Sequence, residues 1–264
     1  MIEYLKLKKQ VEKAVVAASK IMRRNFQIEE KGGVENIVTT ADLGVQNFLC
    51  KRLAKLLPSA GFFCEEEDKK DVTSEYIWCI DPIDGTTNFA RGIADCCISV
   101  GLLHRGEVVL GVVYAPFSKK LFSAVKGQGA TLNGQKISVS KKPFRAGIFC
   151  TAMSLYKKEF AGICNQILCE GYSQCADFRR FGSCALELCY LAAGWCDLFF
   201  EIRVFPWDYA GATIILKEAG GIIKGFDGKE PSLTSPSPVI AANNWENYQK
   251  LNEIVQKHMK KIPY

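Results

Sequence analysis

Residues 95–125 constrain the fold most, because three strand-like runs follow one another there with only short turns between them. CCISVGLLH, EVVLGVVYA and KKLFSAV are apolar and rich in β-branched residues, and RG and PFS separate them. Consecutive runs of this kind bounded by turn signals read as an antiparallel meander. Upstream the period is helical. Leu5, Val11, Val15, Ala18 and Met22 recur at helical spacing and predict an amphipathic helix over residues 2–26. Thr39 and Thr40 resemble N-caps of a second helix running to about Leu57, where Pro58 ends it. YIWCID at 76–81 is a short β-like run ending on Asp81, and Gly127, Gly129, Asn133 and Gly134 mark further turns.

Downstream of about residue 145, helices and strands alternate. The pattern predicts a strand at 147–151, a helix at 155–170, and a helix from Ser183 that stops before Gly194. A strand at 196–201 then leads through Pro206 into a helix from Trp207 to Ala219, which Gly220 and Gly221 terminate. The last helix covers 244–260. There is no internal repeat and no low-complexity linker. The reading is α+β with two subdomains, 1–145 and 146–264, joined near residues 140–146.

What the chain lacks limits its chemistry. With only two histidines, His104 and His258, a histidine-based triad, a histidine-rich zinc site and an HExxH protease are excluded. A metal site must then lean on carboxylates, which select hard cations such as Mg2+, Mn2+ or Ca2+. The twelve cysteines include no CxxC pair, and Cys79, Cys96, Cys97, Cys184 and Cys189 sit in apolar runs. They read as buried free thiols in a reducing compartment, most simply the cytoplasm. The opening MIEYLKLKKQVEKAV has no signal-peptide apolar region, and no apolar run reaches the roughly 18 residues of a membrane helix. Neither export nor a membrane partner is expected. The net charge of +6 comes from scattered lysines with no arginine-rich, aromatic-interleaved strip. No dedicated nucleic-acid surface is expected, whereas a basic surface suits attraction of anionic metabolites.

Three acidic clusters stand at the ends of predicted elements: Glu65-Glu66-Glu67, Asp81-Pro-Ile-Asp84-Gly85-Thr86-Thr87-Asn88, and Asp208 after Pro206-Trp207. In the second, Pro82 keeps Asp81 extended, and a turn then presents Asp84 on the same side with the Ile83 carbonyl between them. Two carboxylates and a carbonyl make half a shell for a hard divalent cation. Gly85 next to Thr86 lets backbone N–H groups approach an anion closely. An EF-hand is excluded because its twelfth position is Gly92 instead of glutamate. Taken alone, Asp208 reads as a helix-start aspartate facing the dipole, and Glu65–Glu67 as a solvated loop. Their weight comes from combination.

In that combination the sequence resembles the inositol monophosphatase family. Asp81-Pro-Ile-Asp84-Gly85-Thr86-Thr87-Asn88-Phe89 is similar to its first signature, and Trp207-Asp208-Tyr-Ala-Gly-Ala with Glu218-Ala-Gly-Gly221 to its second. Gly182-Ser183, Leu191-Ala-Ala-Gly194, Asn36-Ile-Val-Thr39-Thr40-Ala-Asp42 and Phe63-Cys-Glu65-Glu66 also follow the family pattern. The resemblance implies a layered αβαβα sandwich with the site between subdomains, the first carrying most metal ligands and the second Asp208 and the substrate contacts. By that likeness Glu65, Asp81 and the Ile83 carbonyl hold one Mg2+, and Asp81, Asp84 and Asp208 a second. A third ion near Glu65, and Mn2+ as a substitute, belong to the same expectation. A metal-activated water attacks phosphorus, with Thr86 and Asp42 orienting it and taking its proton, and Glu65 sharing in that catalysis. Asp84 and the Gly85 and Thr86 amides face the phosphate; Ser183, Cys184 and Glu201 face the rest of the substrate. A homodimer and Li+ sensitivity are implied by the likeness alone.

Arg203 stands where relatives commonly have glycine, Cys184 where a small residue is more usual, and Ala94-Asp95 replaces a Pro-containing turn. Arg203 either adds a guanidinium to the pocket or faces solvent, and Glu201 either contacts substrate or pairs with Arg203. The expected activity is hydrolysis of inositol monophosphate or a related sugar or polyol phosphate. Fructose 1,6-bisphosphate, histidinol phosphate, NADP and 3′-phosphoadenosine 5′-phosphate are alternatives within the superfamily. A non-catalytic accessory role in transcription or ribosome assembly is the alternative outside it.

Overall fold

The computed structural model describes residues 2–30, 37–66, 71–152 and 157–259. The chain begins with helix α1 (Tyr4–Ala18), strands β1 (Ile28–Glu30) and β2 (Ile37–Thr39), and helix α2 (Thr40–Leu56). α1 is shorter than the periodicity predicts. Ser19 turns its hydroxyl back to donate to the Val16 carbonyl at 2.9 Å, competing with helix continuation, and a single 3-10 turn at Ile21–Arg23 follows. Leu7, Val11, Ala14, Val15 and Ala18 form the buried stripe, whereas Leu5 is 46% exposed and takes no part in it. α2 starts on a capping box: Thr39 Oγ1 accepts from the Ala41 and Asp42 amides, and Asp42 accepts from the Thr39 amide at 2.7 Å.

Strands β3 (Gly61–Cys64) and β4 (Tyr76–Asp84) come next, then the short helix α3 (Thr86–Ala90). The meander follows as β5 (Cys97–His104), β6 (Glu107–Ala115) and β7 (Lys120–Val125), extended by β8 (Ala130–Leu132) and β9 (Gln135–Ile137). These form a seven-stranded sheet in the order β3-β4-β5-β6-β7-β8-β9, antiparallel except for the parallel pair β3·β4.

The rest of the chain supplies β10 (Ile148–Thr151), α4 (Ala161–Tyr172), β11 (Asp177–Arg179), α5 (Cys184–Ala192), β12 (Leu198–Val204) and α6 (Pro206–Glu218). It ends with β13 (Ile222–Lys224), β14 (Ser237–Ala242) and α7 (Trp245–Met259). Its five strands order as β11-β10-β12-β14-β13, with β10 parallel to both neighbours. α4 begins six residues later than expected, after a 3-10 turn at Lys158–Phe160, and residues 153–156 lie outside the described ones. β12 lies further along than the expected 196–201, and β14 has no counterpart in the sequence pattern.

The layers are α1/α2, the seven-stranded sheet, α5/α6, the five-stranded sheet and α4/α7, an αβαβα sandwich. Three apolar cores fill the spaces between them. Every residue of α5 is buried, as a helix lodged between two sheets requires. α6 approaches the larger sheet closely because glycines face each other: a Cβ on Gly211 would stand 3.0 Å from both Ser99 Oγ and the Val100 carbonyl. That contact holds Asp208, one turn earlier, over the sheet. All twelve cysteines are free and ten are buried. Among the described residues no helix is long and apolar enough to cross a membrane.

Candidate active site

β4 does not stop at Asp81 as the sequence suggests; it runs through Pro82 to Asp84. Against β5, Asp81 pairs with Ser99 and Asp84 with Cys97, so the register slips by one residue between them. Side chains three apart on a regular strand point to opposite faces, and a bulge restores them to one. A bulge also tolerates proline, which has no N–H for the ladder. The DPID spacing thus delivers both aspartates to one cleft.

Each carboxylate is braced by the backbone near it. Asp81 Oδ1 accepts from the Ile83 amide at 2.9 Å. Asp84 Oδ2 reaches across to the start of α5, accepting from Ser183 Oγ at 2.7 Å and from the Ala185 amide at 2.6 Å. Asp208 Oδ2 caps α6 by accepting from the Phe205 amide at 2.8 Å. The helix-start reading of Asp208 is therefore true as well, and the capped carboxylate still lines the cleft. Glu65 follows β3, with its amide donating to the Ile80 carbonyl at 3.1 Å. Buried Gln46 on α2 clamps the next residue, donating to the Glu66 carbonyl and accepting from its amide at 3.0 Å. Glu67 and Asn36 lie outside the described residues.

A cleft of about 160 Å3 receives Glu65, Asp81, Ile83, Asp84, Gly85, Thr86, Ser183, Cys184, Glu201 and Asp208. Asp42 is fully buried just behind it. The Thr86 hydroxyl donates to the Ile83 carbonyl at 3.0 Å and stands 3.5 Å from Asp42 Oδ1. Glu201 lines the cleft without an ion pair to Arg203 among the described residues; Arg203 lines it too, its guanidinium 5.4 Å from the centre of the Phe205 ring. Three further residues complete the frame. Asn88 donates to the carbonyls of Asp95 at 2.7 Å and Phe181 at 2.6 Å, joining the two halves of the cleft. Arg180 lines the wall, and Glu187 Oε1 holds the adjacent turn by accepting from the Phe181 and Gly182 amides at 2.6 and 3.0 Å. Glu187 was detectable in principle, as the one charged residue in CALELCYLA.

The electrostatics are those of negative charge crowded out of water. Burial first, then the charges of Glu65, Asp84 and Asp208, raise the Asp81 carboxyl well above its ordinary value. Burial lifts Asp84 to about 6 against the hydrogen bonds from Ser183 and Ala185. Asp208 rises through burial and the charges of Asp84 and Glu65, and Glu201 through burial and the charges of Glu187, Asp208 and Asp84. Like charges at this density persist only when protonated or when a cation joins them. The donors are all oxygens, as a hard divalent cation prefers, and the Ile83 carbonyl keeps a second lone pair beside Thr86. Among the described residues no group of three or more His, Cys, Asp or Glu side chains is arranged to hold a metal ion by itself. A cation here would take one or two carboxylates, with carbonyl, water and ligand oxygens completing its shell, which is the usual habit of Mg2+.

The model of the inositol monophosphatase family matches residues 3–260. The chain belongs to the inositol monophosphatase family. Nus factor SuhB of Pasteurella multocida is 37% identical over 237 residues, covering 86% of this chain and 86% of that protein. Inositol monophosphatase 3 of Solanum lycopersicum is 36% identical over 246 residues, covering 88% and 89%. The solved Thermotoga maritima IMPase has a TM-score of 0.87 at 30% identity, covering 99% of this chain and 100% of that one. Membership in the inositol monophosphatase family accounts for the αβαβα layering and supports metal binding and phosphatase chemistry in general.

Proposed function

We propose that this protein is a cytoplasmic, Mg2+-dependent phosphatase of a small phosphomonoester, such as inositol monophosphate or a related sugar or polyol phosphate. The convergence of Glu65, Asp81, Asp84 and Asp208 with the Gly85–Thr86 turn in one cleft carries the reading. Mg2+, with Glu65, Asp81 and the Ile83 carbonyl as one ligand set and one or two of Asp81, Asp84 and Asp208 with water and substrate oxygens as another, would supply Lewis acidity and an activated water there. The Thr86 hydroxyl, already turned to the Ile83 carbonyl with Asp42 behind it, orients the attacking water. Asp42, held by the Thr39 amide through Oδ2, keeps Oδ1 towards Thr86 and takes the proton. The left-handed Gly85 (φ 87°) brings the Gly85 and Thr86 amides to the phosphate, and Ser183, Cys184 and Glu201 face its alcohol. A homodimer and Li+ sensitivity belong to the same reading through the family.

Inorganic phosphate release over inositol 1-phosphate, fructose 1,6-bisphosphate, histidinol phosphate, NADP and 3′-phosphoadenosine 5′-phosphate tests it. Turnover that needs Mg2+ and stops in EDTA is the expected result. A second reading rests on the relative called a Nus factor: an accessory role in transcription or ribosome assembly. Salt-dependent RNA binding with no turnover on the panel would favour that reading instead.

A further inference from the structure

The cleft has two unlike walls. The seven-stranded sheet contributes Glu65, Asp81, Asp84 and the Gly85–Thr86 turn. The five-stranded side contributes Arg180, just past β11, with Glu201 and Arg203 on β12. Arg203 is half-buried against Phe205, which stacks on Trp207 at 4.8 Å and 4°, and Trp207 meets Phe63 edge-on at 5.2 Å. A guanidinium beside an aromatic ring is held there without using its N–H groups, which stay free to donate. The neighbouring Arg179 is neutralised by Asp177 at 2.5 Å. By contrast, neither Arg180 nor Arg203 has a side-chain hydrogen bond or ion pair among the described residues.

We propose that Arg180 and Arg203 form a subsite for a second anionic group on the substrate, a phosphate or a carboxylate. The inference rests on the phosphatase reading, which puts the reacting phosphate at Gly85–Thr86 beside the carboxylates. With divalent cations balancing those carboxylates, Arg203 keeps no charged partner at hydrogen-bond distance among the described residues, and Arg180 acts on the buried Glu187 and Glu201 carboxyls only at longer range. A substrate that spans from the phosphate turn to the opposite wall brings its far end to them. Guanidinium forks bind carboxylate and phosphate through paired hydrogen bonds, so either group satisfies the wall. Phosphomonoesters carrying that second charge are therefore the preferred substrates.

Two matched pairs test the subsite with the Mg2+-loaded protein. Glycerol 2-phosphate against 2-phosphoglycerate isolates a carboxylate, and fructose 1-phosphate against fructose 1,6-bisphosphate isolates a phosphate. The wild type is expected to favour the doubly anionic member in kcat/KM, and the pair with the larger ratio identifies the group. That ratio falls roughly tenfold or more in Arg203→Gln, mainly through KM, as loss of charged hydrogen bonds implies. Arg203→Lys, which retains the charge without the fork, recovers part of the phosphate preference. Ratios near one in the wild type, or ratios unchanged in both Arg203→Gln and Arg180→Gln, overturn the proposal. Absence of phosphate release from all four esters and from inositol 1-phosphate would count against the phosphatase reading, and calorimetry with Ca2+-loaded protein then decides the subsite by itself. Tighter binding of the doubly anionic esters, lost in Arg203→Gln, supports it there; equal binding within each pair overturns it.

Discussion

Gly85 occupies a conformation (φ 87°) that side chains resist, and a Cβ there would stand 3.0 Å from the Asp95 carbonyl and 3.1 Å from the Gly182 carbonyl. Gly85→Ala should lower stability by at least about 1–2 kcal/mol, the usual order for an L-residue forced left-handed. A shift of the urea midpoint at constant slope is the check. Glu187 gives a pH signature. It is 1% exposed, its Oε2 has no partner, and burial lifts its pKa to about 8 against hydrogen bonds from Phe181 and Gly182. A carboxyl whose pKa is higher folded than unfolded stabilises fully below the unfolded value of about 4.5, and loses that stabilisation as pH rises through the folded value. Wild-type stability should therefore fall relative to Glu187→Gln between about pH 4.5 and 8, by up to a few kcal/mol. Parallel pH profiles for the two proteins in chemical denaturation would contradict this. The sequence offered Gly85 openly, as part of a recognisable turn. Glu187 stayed hidden because its significance lies in amides at 181 and 182 folded back onto its own helix.

At the scale of elements, legibility follows how locally each element is determined. α2 was readable because Thr39 and Asp42 cap it from within four residues, and the meander because β-branched runs alternate with turns. β14, SPVIAA, carries a proline and small residues, and pairs on both sides with β12 and β13; its strand character comes from those neighbours. The end of β4 departs from the sequence pattern for a related reason: Pro82 reads as a break, whereas the bulge opposite β5 makes use of it. The seat of α6 was equally invisible, since it depends on glycines from strands and a helix far apart in the chain. Gly211→Val should push the helix off Ser99 and Val100, lowering stability by roughly 1–3 kcal/mol or more through overpacking. Because Asp208 rides on the same helix, the variant should also need a higher Mg2+ concentration for the same thermal stabilisation. An unchanged Mg2+ midpoint in the destabilised variant would separate helix seating from the metal cleft.

For the whole molecule, the layered sandwich brings four carboxylates together from three separated stretches of chain. Their identities were legible because the motifs are short and contiguous. Their mutual burial was not, because it depends on how β3, the β4 bulge and α6 meet. That burial makes the cation-free molecule carry repulsion that a bound divalent cation relieves. Metal binding to the folded state alone then raises apparent stability by mass action. The most direct test is the thermal melting of wild type and Asp81→Asn, each in EDTA and in excess Mg2+. Asp81→Asn should melt higher than wild type in EDTA, having lost one repelling charge, and the order should reverse in Mg2+. A Mg2+ shift of equal size in both proteins, or no shift in either, would contradict the assignment of this carboxylate cluster as a metal site.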